Sequence, residues 1–310
     1  MLVTVAICTW NRASLLDKTL TQFRSLRTPR GVTWELLIVN NDCTDNTDDV
    51  IARHSGTLPV VRVFEPRPGQ GHARNAALRA TRGEYLLWTD DDVLVDPDWL
   101  VKTLEAFQTL EADLVYGKAE PWWEAEPPRW FSNLFLGHFA LVNLGPKLFI
   151  IKNRNCSGFG VNHAFRTKTL RSLGGYRSEL GFCKGGGGAG EDIDIFFRTF
   201  DAGKKIVYAP DAIVRHFIPT ARCSKSFHRW RAWSGSAAHL LMLRNESKKQ
   251  HHLPQMLGVP RYFFRCNIDY VKRYLAGLLR RDKSSAFFFE LKLIRLAGLL
   301  RQIFLRRRAS

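Results

Sequence analysis

The sequence has no Cys-x-x-Cys pair and no Cys/His spacing that resembles a zinc site, although it holds six cysteines, Cys8, Cys43, Cys156, Cys183, Cys223 and Cys266. Cysteines scattered in this way suit a reducing compartment, most of them as small core residues. No stretch of about 20 residues is free of charge, which argues against a membrane-spanning helix. No basic segment precedes Leu2–Ile7 and no small-residue cleavage site follows it, so the amino terminus reads as a first strand and not as a signal peptide. There is no internal repeat. Acidic residues are scarce in one region only: Ala221–Ser310 holds 20 Lys+Arg against 4 Asp+Glu, which is +16 of the net +17. The first 220 residues, with 26 against 25, are close to neutral. A tail this basic wants an anionic partner: a membrane surface, a nucleic acid or a phosphorylated substrate.

What is present fits a globular chain. Its 310 residues are 45% hydrophobic, enough for one large domain or a domain with an appendage. Apolar, β-branched runs predict strands at Val3–Thr9, Glu35–Val39, Val60–Phe64, Tyr85–Trp88 and Asp113–Tyr116. Helical spacing predicts Ser14–Leu26, Thr47–His54, Ala73–Ala80, Trp99–Leu110 and Glu191–Asp201. Ile206–Ala209 and Ala212–His216 read as short strands at most. This alternation implies an α/β domain with a mainly parallel sheet and helices on both faces. Pro121–Asn155 reads as a loop or irregular helical insertion able to cover a substrate. The glycine run before Glu191 reads as a hinge. The organisation expected is a domain over 1–220 and a basic, amphipathic helical region over 221–310.

The polar clusters fall at the carboxyl ends of the expected strands, where α/β sheets place their chemistry. Three adjacent carboxylates, Asp90-Asp91-Asp92, repel one another and persist most easily around a cation such as Mg2+ or Mn2+, with phosphate oxygens completing its shell. A solvated acidic turn is the bland alternative. In Glu191-Asp192-Ile193-Asp194 one carboxylate can serve as a general base, although acids at a helix start also cap it. Arg74 follows a glycine loop and can face a phosphate, or be an ordinary surface arginine. His216 can complete a carboxylate metal site, though a lone histidine is more often structural. Arg222, Lys225, His228 and Arg229 can neutralise a departing diphosphate or touch membrane or solvent. Trp122-Trp123 can stack on a sugar or lipid, with buried packing as the default.

Together these segments resemble family 2 glycosyltransferases of the GT-A fold. The likeness is carried by Val3–Arg12, Ile38–Asp45, Gly71–Asn75, Thr89–Asp92, Asn162–Arg166, Leu173–Tyr176 and Gly190–Asp194, in that order. It implies an inverting transfer from a nucleoside diphosphate sugar to an acceptor hydroxyl, with a divalent metal. It further implies that Thr9, Asn11 and Arg12 line the nucleotide pocket, with Asn41, Asp42, Arg74, Asp90, Asp91 and Glu191 also on the donor. By the same pattern Asp92 and His216 are metal ligands and Asp192 is the catalytic base. One departure stands out. The family commonly has Asp at the position of Asn40 or Asn41, and here the acid is displaced to Asp42. An amide donates and accepts whereas a carboxylate only accepts, so the nucleobase is left unnamed.

Pro260–Leu279 and Ala286–Leu305 alternate apolar and basic residues, the pattern of helices that lie in a membrane interface. The alternative is a helical pair packed on the domain with a solvated basic face. The membrane reading gives an enzyme peripheral on the inner, cytoplasmic face and suits a lipid-linked acceptor in polysaccharide or glycolipid assembly. Two other classes compete. A nucleotidyltransferase shares the nucleotide domain and acidic ligands but has no need of the distant Glu191-Asp192 pair. A nucleic-acid binder is suggested by charge alone, and no RNA- or DNA-binding motif accompanies it, so no nucleic-acid partner is expected.

Overall fold

The computed structural model describes residues 1–154, 156–180, 190–237, 239–240, 243–244, 254–257 and 259–307. Cys183 and the glycine run 185–189 therefore lie outside the described residues. The chain divides into two compact units. One comprises Met1–Trp122, Ala140–Lys184 and Glu191–Phe217; the other comprises Trp123–Phe139, Gly185–Gly190 and Ile218–Ser310.

The first unit is built on a sheet ordered β3-β2-β1-β4-β8-β6-β9-β5, with β7 paired to β9. β1 (Leu2–Thr9) is central and buried along almost its whole length, because β2 (Thr33–Asn40) and β4 (Tyr85–Asp90) pair with it in parallel on either side. Strands covered on both faces read as continuous apolar runs, which is why this one is visible in the sequence. β3 (Val60–Phe64) extends the parallel part beside β2. Register then fixes the site: Thr9 lies opposite Asn40, and Cys8 opposite Asp90. Three polar clusters, distant in sequence, end on one edge of the parallel strands.

The remaining strands run antiparallel. β8 (Asn162–Arg166) pairs with β4 and with β6 (Leu114–Trp123), while β9 (Ile206–Ile218) pairs with β5 (Val93–Val95) and β7 (Phe149–Ile150). The segment expected as two short strands is thus one strand of 13 residues. On the edge facing β7 and β5, Pro210 sits between the stretch paired with β7, ending at Tyr208, and the stretch paired with β5, starting at Val214. Pro121–Asn155, read as irregular, contains the end of β6, a 3-10 turn at Asn133–Phe139 and β7. Helices α1 (Ala13–Phe23), α2 (Thr47–His54), α3 (Gln70–Ala80), α4 (Trp99–Thr109), α5 (Thr167–Ser172) and α6 (Glu191–Asp201) complete this unit.

The second unit is helical. α7 (Lys225–Ser234) is capped by the Ser224 hydroxyl, which accepts from Phe227 N at 3.2 Å. α8 (Arg261–Leu279) and α9 (Lys283–Arg307) form a hairpin. Gly277 permits their close approach: a Cβ there would stand 2.8 Å from Ala286 N. Aromatic rings fill this unit, with Trp130 5.0 Å from Phe287 and 4.9 Å from Phe135, both edge-on. Burial in that cluster pushes the His138 and His228 imidazoles down, to about 3 and about 4, so both are neutral. Arg229, one of the basic residues expected near a diphosphate, is tied by its Nε to Glu290 at 2.6 Å. Among the described residues no helix is long and apolar enough to cross a membrane.

Candidate active site

The acidic run divides its work by side-chain direction. Asp91 turns inward: its Oδ2 accepts from the Thr9 hydroxyl at 2.7 Å, its Oδ1 accepts from Arg12 at 3.1 Å, and its carbonyl accepts from Thr19 Oγ1 at 2.9 Å. Burial pushes the Asp91 carboxyl up to about 7, against Arg12 and with help from Asp92. It braces the turn that presents its two neighbours. Asp90 is raised as well, by burial and then by Asp92.

Asp90, Asp92 and His216 each offer one ligand atom, all within 4.8 Å of one another. Their convergence follows from pairing: Val93 lies opposite His216 on β9, and Phe217 N donates to Asp92 O at 2.8 Å. His216 Nε2 stands 3.5 Å from Asp92 Oδ1. That oxygen is buried, yet it accepts no hydrogen bond from the described residues. A buried carboxylate oxygen without a partner is costly, and a cation satisfies it. Two carboxylates and an imidazole therefore fit a divalent metal. Arg12, 41% exposed at its side chain, bridges Asp91 and Asp92 from the solvent side, 2.9 Å from Asp92 Oδ2. The two carboxylates raise its guanidinium pKa although burial opposes this.

The other strand ends form a polar rim. Asn11 adopts a left-handed φ of 52°, and its Oδ1 accepts from Thr44 N at 2.7 Å. Asp45 Oδ2 accepts from Ala13 N at 3.0 Å, so the start of α1 is capped from the β2–α2 connection and not by its own residue 12. Asn41, expected on the nucleotide, holds the chain at three points: its Nδ2 donates to Glu65 O and Arg67 O at 2.8 and 2.7 Å, and its Oδ1 accepts from Gly69 N at 3.0 Å. It shapes the loop that leads into α3. Asp42, half-buried with φ 59°, stands at that turn.

Glu65 anchors the same loop. It accepts from Arg67 Nε at 2.7 Å and from Arg79 Nη2 at 3.0 Å, and Arg67 first, then Arg79, holds its carboxyl down at about 2 despite burial. Its folded pKa is below the ordinary 4.5, so its stabilising share is full above pH 4.5 and is lost as pH falls towards 2. The stability gap between wild type and Glu65→Gln should narrow across that window in acid titrations followed by circular dichroism. A constant gap would refute the assignment.

Beneath the rim lies a buried ion pair. Arg74 Nη1 meets Glu191 Oε1 at 3.1 Å, with both side chains almost sealed from solvent. Gln70, with its amide oriented to match its neighbours, donates to Glu191 Oε1 and accepts from Arg74 Nη2. The guanidinium also lies 5.2 Å from the Tyr176 ring centre and 5.9 Å from that of Trp88. A Cβ on Gly160 would come within 2.2 Å of Arg74 Nη2, so this glycine makes room for the charge. Burial pushes the Glu191 carboxyl up to about 7, Arg74 opposing and Asp192 adding. Asp192, next in the chain and half-buried, accepts from Gly160 N at 3.0 Å through Oδ2 and from Ile193 N at 2.9 Å through Oδ1. Asp194 turns away to Arg177 and Arg198, at 3.1 and 2.7 Å.

The sequence did not single out Thr19 or Gly160, and it gave Asp45, Gln70 and Tyr176 no role of their own. Each acts through contacts with distant segments, and no local pattern announces them. The tryptophan pair separates: Trp122 packs edge-on to Phe217 at 4.9 Å, and Trp123 edge-on to Phe131 at 5.0 Å.

The model of glycosyl transferase family 2 matches residues 4–173. The succinoglycan biosynthesis protein ExoM of Rhizobium meliloti (strain 1021) is 27% identical over 260 residues, covering 83% of this chain and 79% of its own. Among solved structures, the mannosyltransferase PcManGT from Pyrobaculum calidifontis, in complex with GDP-Man and Mn2+, superposes with TM-score 0.63 at 17% identity, covering 96% of this chain and 86% of that one. Residues 1–349 of S. aureus TarS, in complex with UDP-GlcNAc, superpose with TM-score 0.57 at 14% identity, covering 96% and 92%. These two likenesses establish the fold.

Proposed function

The chain belongs to glycosyl transferase family 2, and from that premise we propose that it moves a sugar from a nucleoside diphosphate donor to an acceptor hydroxyl with inversion, in polysaccharide or glycolipid assembly. The observation that carries this reading is the meeting of Asp90, Asp92 and His216 at the strand ends, where the buried Asp92 Oδ1 accepts no hydrogen bond from the described residues. The name of the relative ExoM supports a polysaccharide product. The complexes of PcManGT and TarS support a nucleotide-sugar donor, and the first supports Mn2+.

Asp92 and His216, with Asp90, would hold Mg2+ or Mn2+. When bound, the metal would neutralise charge on the departing diphosphate. The chain's own groups do the rest. Thr9 and Arg12 keep Asp91 fixed, and Asp91 keeps the turn in shape. Arg12 is the exposed cation at the rim and would turn from its carboxylates to a phosphate. Asn11 and Asp42 border the nucleotide, whereas Asn41 and the Arg74–Glu191 pair support it from beneath. Asp192, held by two backbone N–H groups, takes the proton of the acceptor hydroxyl. The hydroxyl oxygen then attacks the anomeric carbon opposite the leaving diphosphate.

The binding half of this reading is tested by calorimetric titration with Mn2+. Asp92→Asn should weaken binding by about 10–100-fold or more, the scale on which even supporting groups act at metal sites. Equal affinity in the variant and the wild type would remove Asp92 as a ligand.

A further inference from the structure

The second unit carries an apolar stripe that none of the described residues of that unit covers. Along α8, Ile268, Val271, Leu275, Leu278 and Leu279 are 61, 42, 51, 51 and 86% exposed. At the helical repeat they fall within an arc of about 100°. The packed side of α8 is elsewhere: Asn267 and Gly277 are buried, and the Tyr270 ring lies 5.9 Å from Phe289 of α9. On the next arc round the helix stand Arg261, Arg265 and Lys272, all exposed. Arg273 is not part of this arc; its Nε binds Asp269 one turn back at 2.6 Å. One helix thus has a packing face, a bare apolar face and a basic border.

Chemistry selects the occupant. Exposed leucine and isoleucine in such a row are unfavourable in water and mark an interaction surface. A second copy of the chain would bring an equally basic border against this one, since residues 221–310 carry 20 Lys+Arg and 4 Asp+Glu. A bilayer rich in anionic lipid meets both needs: phosphate headgroups face the basic arc while the apolar stripe enters the acyl boundary. We propose that α8 is the membrane-docking element of this protein and that it lies in the plane of an anionic leaflet with Ile268, Val271, Leu275, Leu278 and Leu279 inserted. This goes beyond the catalytic reading and stands or falls independently of it.

Flotation of the full chain with lipid vesicles tests it. With vesicles of phosphatidylcholine and phosphatidylglycerol in equal parts the wild type floats; with phosphatidylcholine alone it stays in solution. Ile268→Ser combined with Leu275→Ser lowers partition by about tenfold, because two insertions are lost. The same helix with Ile268→Val and Leu275→Met keeps it. Arg265→Gln with Lys272→Gln weakens binding and flattens its salt dependence. All these positions are exposed, so thermal unfolding should stay at the wild-type midpoint. The proposal is overturned if the wild type ignores the anionic vesicles, or if the serine variant partitions as well as the wild type. A wild-type dimer in solution that the serine variant dissolves would overturn it too, by assigning the stripe to a second copy.

Discussion

Asp192→Asn is expected to bind donor as the wild type does while transferring sugar about 10²–10⁴-fold more slowly, the usual loss when a general base is removed. The geometry lets the variant keep one of its two anchoring hydrogen bonds. Asp192 is half-buried, its Oδ2 is held by Gly160 N at 3.0 Å and its Oδ1 by Ile193 N at 2.9 Å. Asparagine keeps one acceptor for these N–H groups, whereas the carboxylate offers a further lone pair on each oxygen for a substrate proton. The amide cannot take that proton. The effect should therefore sit in kcat, with little change in nucleotide affinity measured by calorimetry. Transfer within a few-fold of wild type would remove Asp192 from the reaction and return attention to its buried neighbour Glu191.

The second large effect is expected at Arg74. Removing its charge, as in Arg74→Met, leaves Glu191 buried with no cation beside it, and breaking a buried pair from one side costs about 3–5 kcal/mol. The side chains of Arg74 and Glu191 are 3 and 5% exposed, so water cannot compensate. Removing both charges is different. In Arg74→Met with Glu191→Gln no ion is stranded, and most of the lost stability should return, because apolar or neutral replacements of buried pairs are often close to neutral. Denaturant unfolding of the two single variants and the double variant measures this directly. A single variant within about 1 kcal/mol of wild type would show that the pair is not buried in solution as it is in this structure. Activity should stay low even in the stable double variant, since Arg74 is also one of the charges that offset Asp90.

Much of this was legible in the residues. Val60–Phe64, Thr47–His54 and Glu191–Asp201 have the expected bounds because each is marked by its own composition. The acidic run and the Asn-Arg turn stand together because each follows a strand and the parallel register aligns those ends; the Glu-Asp pair, at the start of α6, lies in the same unit. What stayed hidden is non-local. β5 is three residues long, too short for any period, and exists because β9 pairs with it. β8 reads Asn-His-Ala-Phe-Arg, a poor strand by composition. Its polar groups are satisfied at a distance, Asn162 by Trp99 Nε1 at 2.9 Å and His163 by the Tyr176 hydroxyl at 2.7 Å. Arg74 and Glu191 are 117 positions apart, and nothing in either neighbourhood names the other. The three hydrogen bonds by which Asn41 holds the loop before α3 are likewise invisible in its neighbours.

Two of the hydrogen bonds that join the β2–α2 connection to the β1–α1 turn, Thr44 N to Asn11 and Ala13 N to Asp45, have an evolutionary consequence. Neither turn can drift alone. A new side chain at residue 11 orphans an amide at residue 44, and a new one at residue 45 uncaps a helix that begins on another strand. Substitutions in these two segments would therefore travel as pairs in descendants of this chain, and a graft of either segment would have to carry both as one cassette.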